Sequence, residues 1–223
     1  MFTGIEAAGL LVDASLVTRE RAASGTRYSQ LETLRTFGLE RLAERGERAE
    51  ADELLVGSAL EISARVDRGL NTPDEVRWAA MVREEFPNIR AARRHLSDHG
   101  RSDDLVTLLC NLTDWARLRD ANEFWAWCDD LVTIVPEGDP RRPEALAVHA
   151  QASWRRGDIT RALSDATEAL ERSDDPWVQA HAYAEIAAAP GGFLVASYRP
   201  LQLDAGDLEA QSSLIDRQRL LQK

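Results

Sequence analysis

The sequence predicts a mainly α-helical protein: a small β-hairpin module at the N-terminal end, followed by a stack of helical hairpins. Three features lead there. Apolar residues recur at helical spacing in segment after segment from Glu32 onward. A strand–turn–strand pattern is confined to the segment around residues 16–31. The stretch 143–176, PEALAVHAQASWRRGDITRALSDATEALERSDDP, divides into two short helices at Arg156-Gly157-Asp158. One helical hairpin cannot bury its own apolar face, so finding one predicts others stacked against it.

Taken in order, residues 5–17 (IEAAGLLVDASLV) begin as an apolar helix and pass into a β-prone SLV. TRERAASGTRYSQL then reads as a hairpin whose turn is Ala22-Ala23-Ser24-Gly25, with Leu16 and Val17 on one arm and Tyr28 and Leu31 on the other. A helix follows from Glu32 to about Arg45, with Leu34, Phe37, Leu39, Arg41 and Leu42 on one face, and Gly46 ends it. Ala51 to Val66 carries Leu54, Leu55, Ala59, Leu60, Ile62 and Val66 as a helical stripe. Asn71-Thr72-Pro73 breaks the chain, and Thr72 with Pro73, Asp74 and Glu75 signals a new helix start. Trp78, Met81 and Val82 face inward there, and Pro87 predicts a kink or a fresh start at Asn88.

Within 143–176, Gly157 ends the first helix with a residue that tolerates positive φ, and Asp158 can cap the second. Ala150, Ala162 and Ala169 are short enough to let the two helices approach closely. This stretch resembles one tetratricopeptide-type unit, with Ala150, Gly157, Ala162 and Ala169 where that motif of about 34 residues wants small residues. Residues 105–138 lie in the same register. Leu112 matches Ala150, Arg119-Asp120 matches Gly157-Asp158, Phe124 matches Ala162 and Leu131 matches Ala169, with Pro136 as the closing proline. Large residues replace small ones in that unit, so a wider packing is expected. A third unit starts at Trp177 with Ala184 at its small position, and breaks at Gly191-Gly192. The segment FLVASYRPLQLDAGD reads as loop, and a helix-prone tail starts at Asp207.

LLVDASLV, the hairpin and RYSQLETLRTFGLERLAERGE together resemble a segment of bacterial STAND-type signalling NTPases, the LuxR-like and SARP-like regulators of actinobacteria. Arg27, Tyr28, Leu31, Glu32, Thr33, Arg35, Glu40, Arg41, Leu42 and Gly46 carry that resemblance, and Asn88, Arg90 and Ala91 match the linker helix ahead of the repeats. In those proteins the segment closes a winged-helix module between the NTPase core and a helical repeat region. The resemblance therefore implies a partial winged-helix domain over 1–46, linker helices over 47–100, TPR-like helical repeats over 101–190 (an α-solenoid) and an irregular tail over 191–223. The first helices of the winged helix would lie upstream of Met1.

Composition narrows the function. The net charge is −11, which opposes the phosphate neutralisation that dominates nucleic-acid affinity. Residues 1–48 hold seven Arg and seven acidic residues, so that part is neutral and the rest carries the whole −11. The only Lys is Lys223, so there is no phosphate-binding loop and no NTPase site. No stretch has the apolar length of a membrane span. Two cysteines, Cys110 and Cys128, do not make a disulfide framework, which with the absence of a signal pattern points to the cytoplasm. They read as buried free thiols.

No catalytic constellation is present, and no cofactor or metal is expected. His95 and His99 are four apart but lack further ligands, so they read as surface histidines near a helix end. The doublets Glu84-Glu85, Asp103-Asp104, Asp129-Asp130 and Asp174-Asp175 read as solvated surface, three of them at helix starts or turns. The aromatic cluster Trp115, Phe124, Trp125 and Trp127 has two readings, filling of a wide interhelical space or the lining of a partner groove. Phe124 and Trp127 belong to the core in the first, and Trp125 is the residue expected to be exposed in the second.

The function expected is non-catalytic: a regulatory, protein-interaction region of a STAND-type ATPase or transcriptional regulator. Trp115, Trp125, Trp154 and His149 would bind a protein partner or the missing NTPase domain of the parent. The alternative is a DNA-binding regulator acting through Arg19, Arg21 and Arg27 of the hairpin, which zero net charge disfavours; a truncated fragment without independent function is the third reading. An unfinished repeat end would expose an apolar face that invites self-association.

Overall fold

The computed structural model describes residues 4–22, 25–70, 72–117, 119 and 121–188. Among these the chain is mainly helical, with nine helices and one two-stranded antiparallel sheet. It divides into two compact units, with the boundary between Asp104 and Leu105. The turn residues Ala23 and Ser24, Asn71, Asp120, and the whole predicted loop and tail from Gly191 lie outside the described residues.

The first unit opens with α1 (Gly4–Asp13) and the hairpin β1 (Thr18–Ala22) and β2 (Gly25–Ser29). The register pairs Thr18 with Ser29, Arg19 with Tyr28, Glu20 with Arg27 and Arg21 with Thr26. The strands are thus shorter than the sequence reading, and Leu16, Val17 and Leu31 flank them. Val17 is buried while Leu31 is 70% exposed. Helix α2 (Glu32–Arg45) has the predicted bounds, and Gly46 ends it at φ +72°. Its predicted apolar face is only partly covered: Leu34, Leu39 and Leu42 are half-buried, Phe37 is 56% exposed, and none is fully buried.

Helices α3 (Arg48–Gly69) and α4 (Glu75–Asp98) pack together. The buried face of α3 is Val56, Ala59, Ser63, Val66 and Gly69. The predicted stripe shared only Ala59 and Val66 with it; Leu54 points to solvent at 70% exposure. Both rows have helical spacing, so periodicity alone could not choose between them. The partner chose: α4 presents Ala79, Val82, Ile89, Ala92 and Leu96. Each large side chain buried there contributes about 1.5–3 kcal/mol relative to exposure. Val82 is fully buried as predicted, and Trp78 is half-buried against Gly69, where an added Cβ would collide with the indole. Gly69 is therefore needed for space. Pro87 does not start a new helix: α4 runs unbroken across it, leaving one carbonyl without its amide donor on the exposed side.

The second unit contains α5 (Ser102–Arg117, which begins at the boundary), α6 (Asn122–Ile134), α7 (Arg142–Arg155), α8 (Ile159–Arg172) and α9 (Pro176–Ala188). Antiparallel hairpins in this order agree with helical repeats. Gly157 takes φ +81° between α7 and α8, and the Asp158 side chain accepts from the Arg161 amide at 3.0 Å. The predicted glycine stop and aspartate cap are both present. Ala150, Ala162, Ala166 and Ala169 are wholly buried, and Leu146, Ala147, Leu170, Val178, Ala182 and Ile186 form one core with Ala150, Ala166 and Ala169. Asp175 caps α9 by accepting from the Trp177 amide at 2.9 Å and the Val178 amide at 3.2 Å. Leu112, Phe124 and Leu131, the counterparts of three of those alanines, are wholly buried too. The repeat register holds where the residue sizes do not.

Candidate functional site

The first helices of successive repeats, α5, α7 and α9, share a face rich in charged groups. The aromatic cluster meets this face at Trp125, which lies under Arg155. Phe124 is at the centre, with ring centroids of Trp115 at 6.5 Å, Trp125 at 5.2 Å and Trp127 at 6.2 Å. Edge-on and tilted contacts of this kind are favoured by the ring quadrupoles. Trp125 is 6% exposed, against the expectation that it would be the open ring. It is covered by Arg155, whose guanidinium carbon lies 5.5 Å from the ring centroid. The Cys128 thiol is fully buried nearby in sequence, Cys110 is half-buried, and neither is in a disulfide.

Arg155, at the end of α7, donates to the backbone carbonyl of Arg117 at the end of α5. Arg117 in turn donates to Glu185 of α9 at 3.3 Å. His181, one turn earlier on α9, lies 3.6 Å from the Asp114 carboxylate through Nε2. Its Nδ1 donates to the Trp177 carbonyl at 2.8 Å, and its ring stacks on Trp177 at 3.9 Å. Burial pushes the Glu185 carboxyl up from its ordinary value, partly offset by Arg117, His181 and Arg155. Arg155 is lowered, first by burial and then by the positive charge of Arg117, with Glu185 opposing.

These residues follow the repeat. Arg117 and Arg155 stand 38 apart, the offset that carries Leu112 onto Ala150. Gln151 matches Thr113 by the same offset, and Glu185 matches Gln151 by the offset that carries Ala150 onto Ala184. Thr113, Gln151 and Glu185 form a row of buried polar side chains, at 0%, 2% and 6% exposure. Thr113 donates to the Leu109 carbonyl at 2.8 Å. Such a row was readable by laying the repeats over one another and asking which equivalent positions are polar.

The sequence-predicted site residues are scattered by comparison. Trp115 and Trp125 lie in the buried aromatic cluster, while Trp154 is half-buried next to Arg155 in the chain. His149 turns to the other side of α7, where its Nδ1 donates to Asp165 at 2.6 Å. Asp165 is wholly buried and also accepts from Arg161 Nε at 3.0 Å, so His149 joins α7 to α8. On the hairpin, Arg19 and Arg21 alternate with Glu20 and share one face. Arg27, paired with Glu20 on the other face, lies 3.9 Å from Glu85 of α4. His95 and His99 stack at 4.0 Å, and His95 Nδ1 is 3.8 Å from Asp52. Among the described residues no group of three or more His, Cys, Asp and Glu is placed to hold a metal ion. None of their helices is long and apolar enough to cross a membrane.

Over 135 residues, 59% of this chain, the sequence is 31% identical to proteins named "Putative HTH-type transcriptional regulator" in Mycobacterium tuberculosis and Mycobacterium bovis. The match covers 15% of those relatives' length, so the chain corresponds to a small part of each. No protein-family model matches. No solved structure matches either.

Proposed function

We propose that this chain is a non-catalytic regulatory segment of a STAND-type transcriptional regulator, in which the helical repeats bind another protein or another part of the parent polypeptide. The observation that carries this reading is the α5–α7–α9 face, where Arg117, Arg155, Asp114, His181 and Glu185 converge, with Arg155 over the Trp125 ring. Stacked helical hairpins use such faces for partners. The similarity to regulators of transcription supports the regulatory context. Catalysis has no support in the residues: the only lysine is Lys223, and no nucleophile–base pair comes with a motif.

A photo-crosslinking amino acid placed at Trp154, beside the face, tests the reading against one placed at Thr160, exposed on α8. The expected result is a defined protein product from position 154 in native extract, absent from position 160. Chaperones alone, or equal products from both positions, would remove the repeat face as a binding site.

The hairpin gives a second reading, contact with DNA. Arg19 and Arg21 share one exposed face and their cross-strand partners there are Tyr28 and Thr26, whereas Arg27 faces Glu85. Duplex affinity that falls steeply with salt and drops on Arg19→Ala with Arg21→Ala would favour it. Arg27→Ala would then have the smaller effect.

A further inference from the structure

We propose that His95 and His99, at the end of α4, form a two-histidine site for a late first-row divalent ion of the Cu2+ or Zn2+ kind, bound through Nε2 of each ring. This goes beyond the partner-binding reading and does not depend on it. The two residues stand four apart on one helix, the spacing that sets a pair of imidazoles on one face. The rings are stacked, with centroids 4.0 Å apart and planes 23° from parallel. The other two histidines are engaged singly, His149 with Asp165 and His181 with the Trp177 carbonyl.

Two contacts fix which nitrogens carry the lone pairs. The His95 carbonyl accepts from the His99 amide at 3.1 Å and from His99 Nδ1 at 2.9 Å. A carbonyl only accepts, so Nδ1 of His99 carries its proton there and the lone pair of the neutral ring sits on Nε2. His95 presents Nδ1 to the Asp52 carboxylate of α3 at 3.8 Å, and a facing carboxylate favours the proton on that nitrogen. The lone pair of the His95 ring is then on Nε2 as well. Asp52 is oriented in turn by Arg48, whose Nε donates to it at 2.8 Å. A carbonyl behind one ring and a carboxylate behind the other are the outer contacts that orient metal-bound histidines and raise their basicity.

The donor set selects the class of ion. Two nitrogens held at about 2.0–2.1 Å from one ion stand about 3 Å apart, so the rings need only turn slightly toward each other from their stack. His99 is exposed and the His95 side chain keeps 16% of its surface open, which leaves room for water to complete the coordination. No set of three metal-ligating side chains is found among the described residues, so the histidine pair supplies the only protein ligands. Imidazole with water suits Cu2+, Ni2+ and Zn2+, whereas Mg2+ and Ca2+ take oxygen ligands.

The test titrates the full, chelator-stripped chain with Cu2+ and separately with Zn2+ by calorimetry, while electron paramagnetic resonance of the Cu2+ form counts the bound imidazole nitrogens. The expected result is one ion per chain, Cu2+ held more tightly than Zn2+, and two imidazole nitrogens in the Cu2+ spectrum. His99→Gln and His95→Gln are each expected to weaken Cu2+ binding at least about tenfold, since loss of an outer contact alone costs that much. Zn2+ is also expected to raise the melting temperature of the wild type and not of either variant. Absence of saturable binding would overturn the proposal. So would a Cu2+ affinity unchanged by His99→Gln, or a spectrum with a single imidazole, either of which would mean an adventitious ion only. Far-ultraviolet circular dichroism checks that the variants fold, and if His95→Gln does not, His99→Gln decides alone because its side chain is exposed.

Discussion

Hairpin α7–α8 closes over Ala150, Ala162, Ala166 and Ala169, whereas α5–α6 places Leu112, Phe124 and Leu131 at three of the matching positions. In the first, short side chains let the backbones come together, and a buried His149–Asp165 pair, joined from the surface by Arg161, ties the helices. In the second, three indoles around Phe124 fill the space between the helices. Both interiors are wholly buried at these positions. One register therefore admits two packing solutions, provided small meets small or large fills the gap. The aromatic solution has a consequence for function: it supplies the floor on which Arg155 rests, at the edge of the charged face.

The sharpest way to break this comparison is Phe124→Ala. If the rings are core, the substitution costs about 3–5 kcal/mol, seen in urea unfolding with loss of the near-ultraviolet tryptophan signal. A cost below about 1 kcal/mol, the range of a surface change, would return the cluster to the groove-lining reading. Trp125→Ala, attractive as a probe of an exposed ring, would instead remove buried packing and confuse binding with stability.

The alanine hairpin is tested from the opposite side. Ala166→Leu overfills a contact with no spare volume and should cost about 1–3 kcal/mol. An enlargement tolerated without loss would mean that α7 and α8 do not depend on close approach, and the contrast with α5–α6 would disappear.

The smallest effect concerns Glu185, which joins the two hairpins to α9 through Arg117. Its carboxyl titrates above the ordinary 4.5 because it is buried. The folded state then holds the proton more tightly than the unfolded state, so the contribution to stability is present below pH 4.5 and lost as pH rises through the folded value. Comparing wild type with Glu185→Gln, the balance should shift toward Gln as pH rises from about 4, measured by urea unfolding at each pH. A difference independent of pH would show that Glu185 titrates as it does in the unfolded chain.

Much of the architecture was legible because it rests on local chemistry. Glu32 to Arg45, Gly46 at positive φ, the Gly157 turn and the Asp158 cap all follow from residues that act within four positions of themselves. Sidedness was less legible. On α3 two rows had equal periodicity, and α4 decided that Val56 and Ser63 are inside while Leu54 is outside. Burial of Trp125 was not legible for a similar reason, since its cover, Arg155, comes from the next repeat. The charged face was the least legible part, although the 38-residue equivalence of Arg117 and Arg155 stood in the sequence.

By itself, then, the sequence determined the helix order, the caps and turns, the places where alanine permits close approach, and the absence of a lysine for phosphate chemistry. These depend on backbone geometry and side-chain size, which travel with the residue. Only the tertiary structure decided which faces are covered, and it alone brought Asp114, Arg117, Arg155, His181 and Glu185 together. Their charges matter through distance and burial, and both are properties of the packed helices rather than of any one segment.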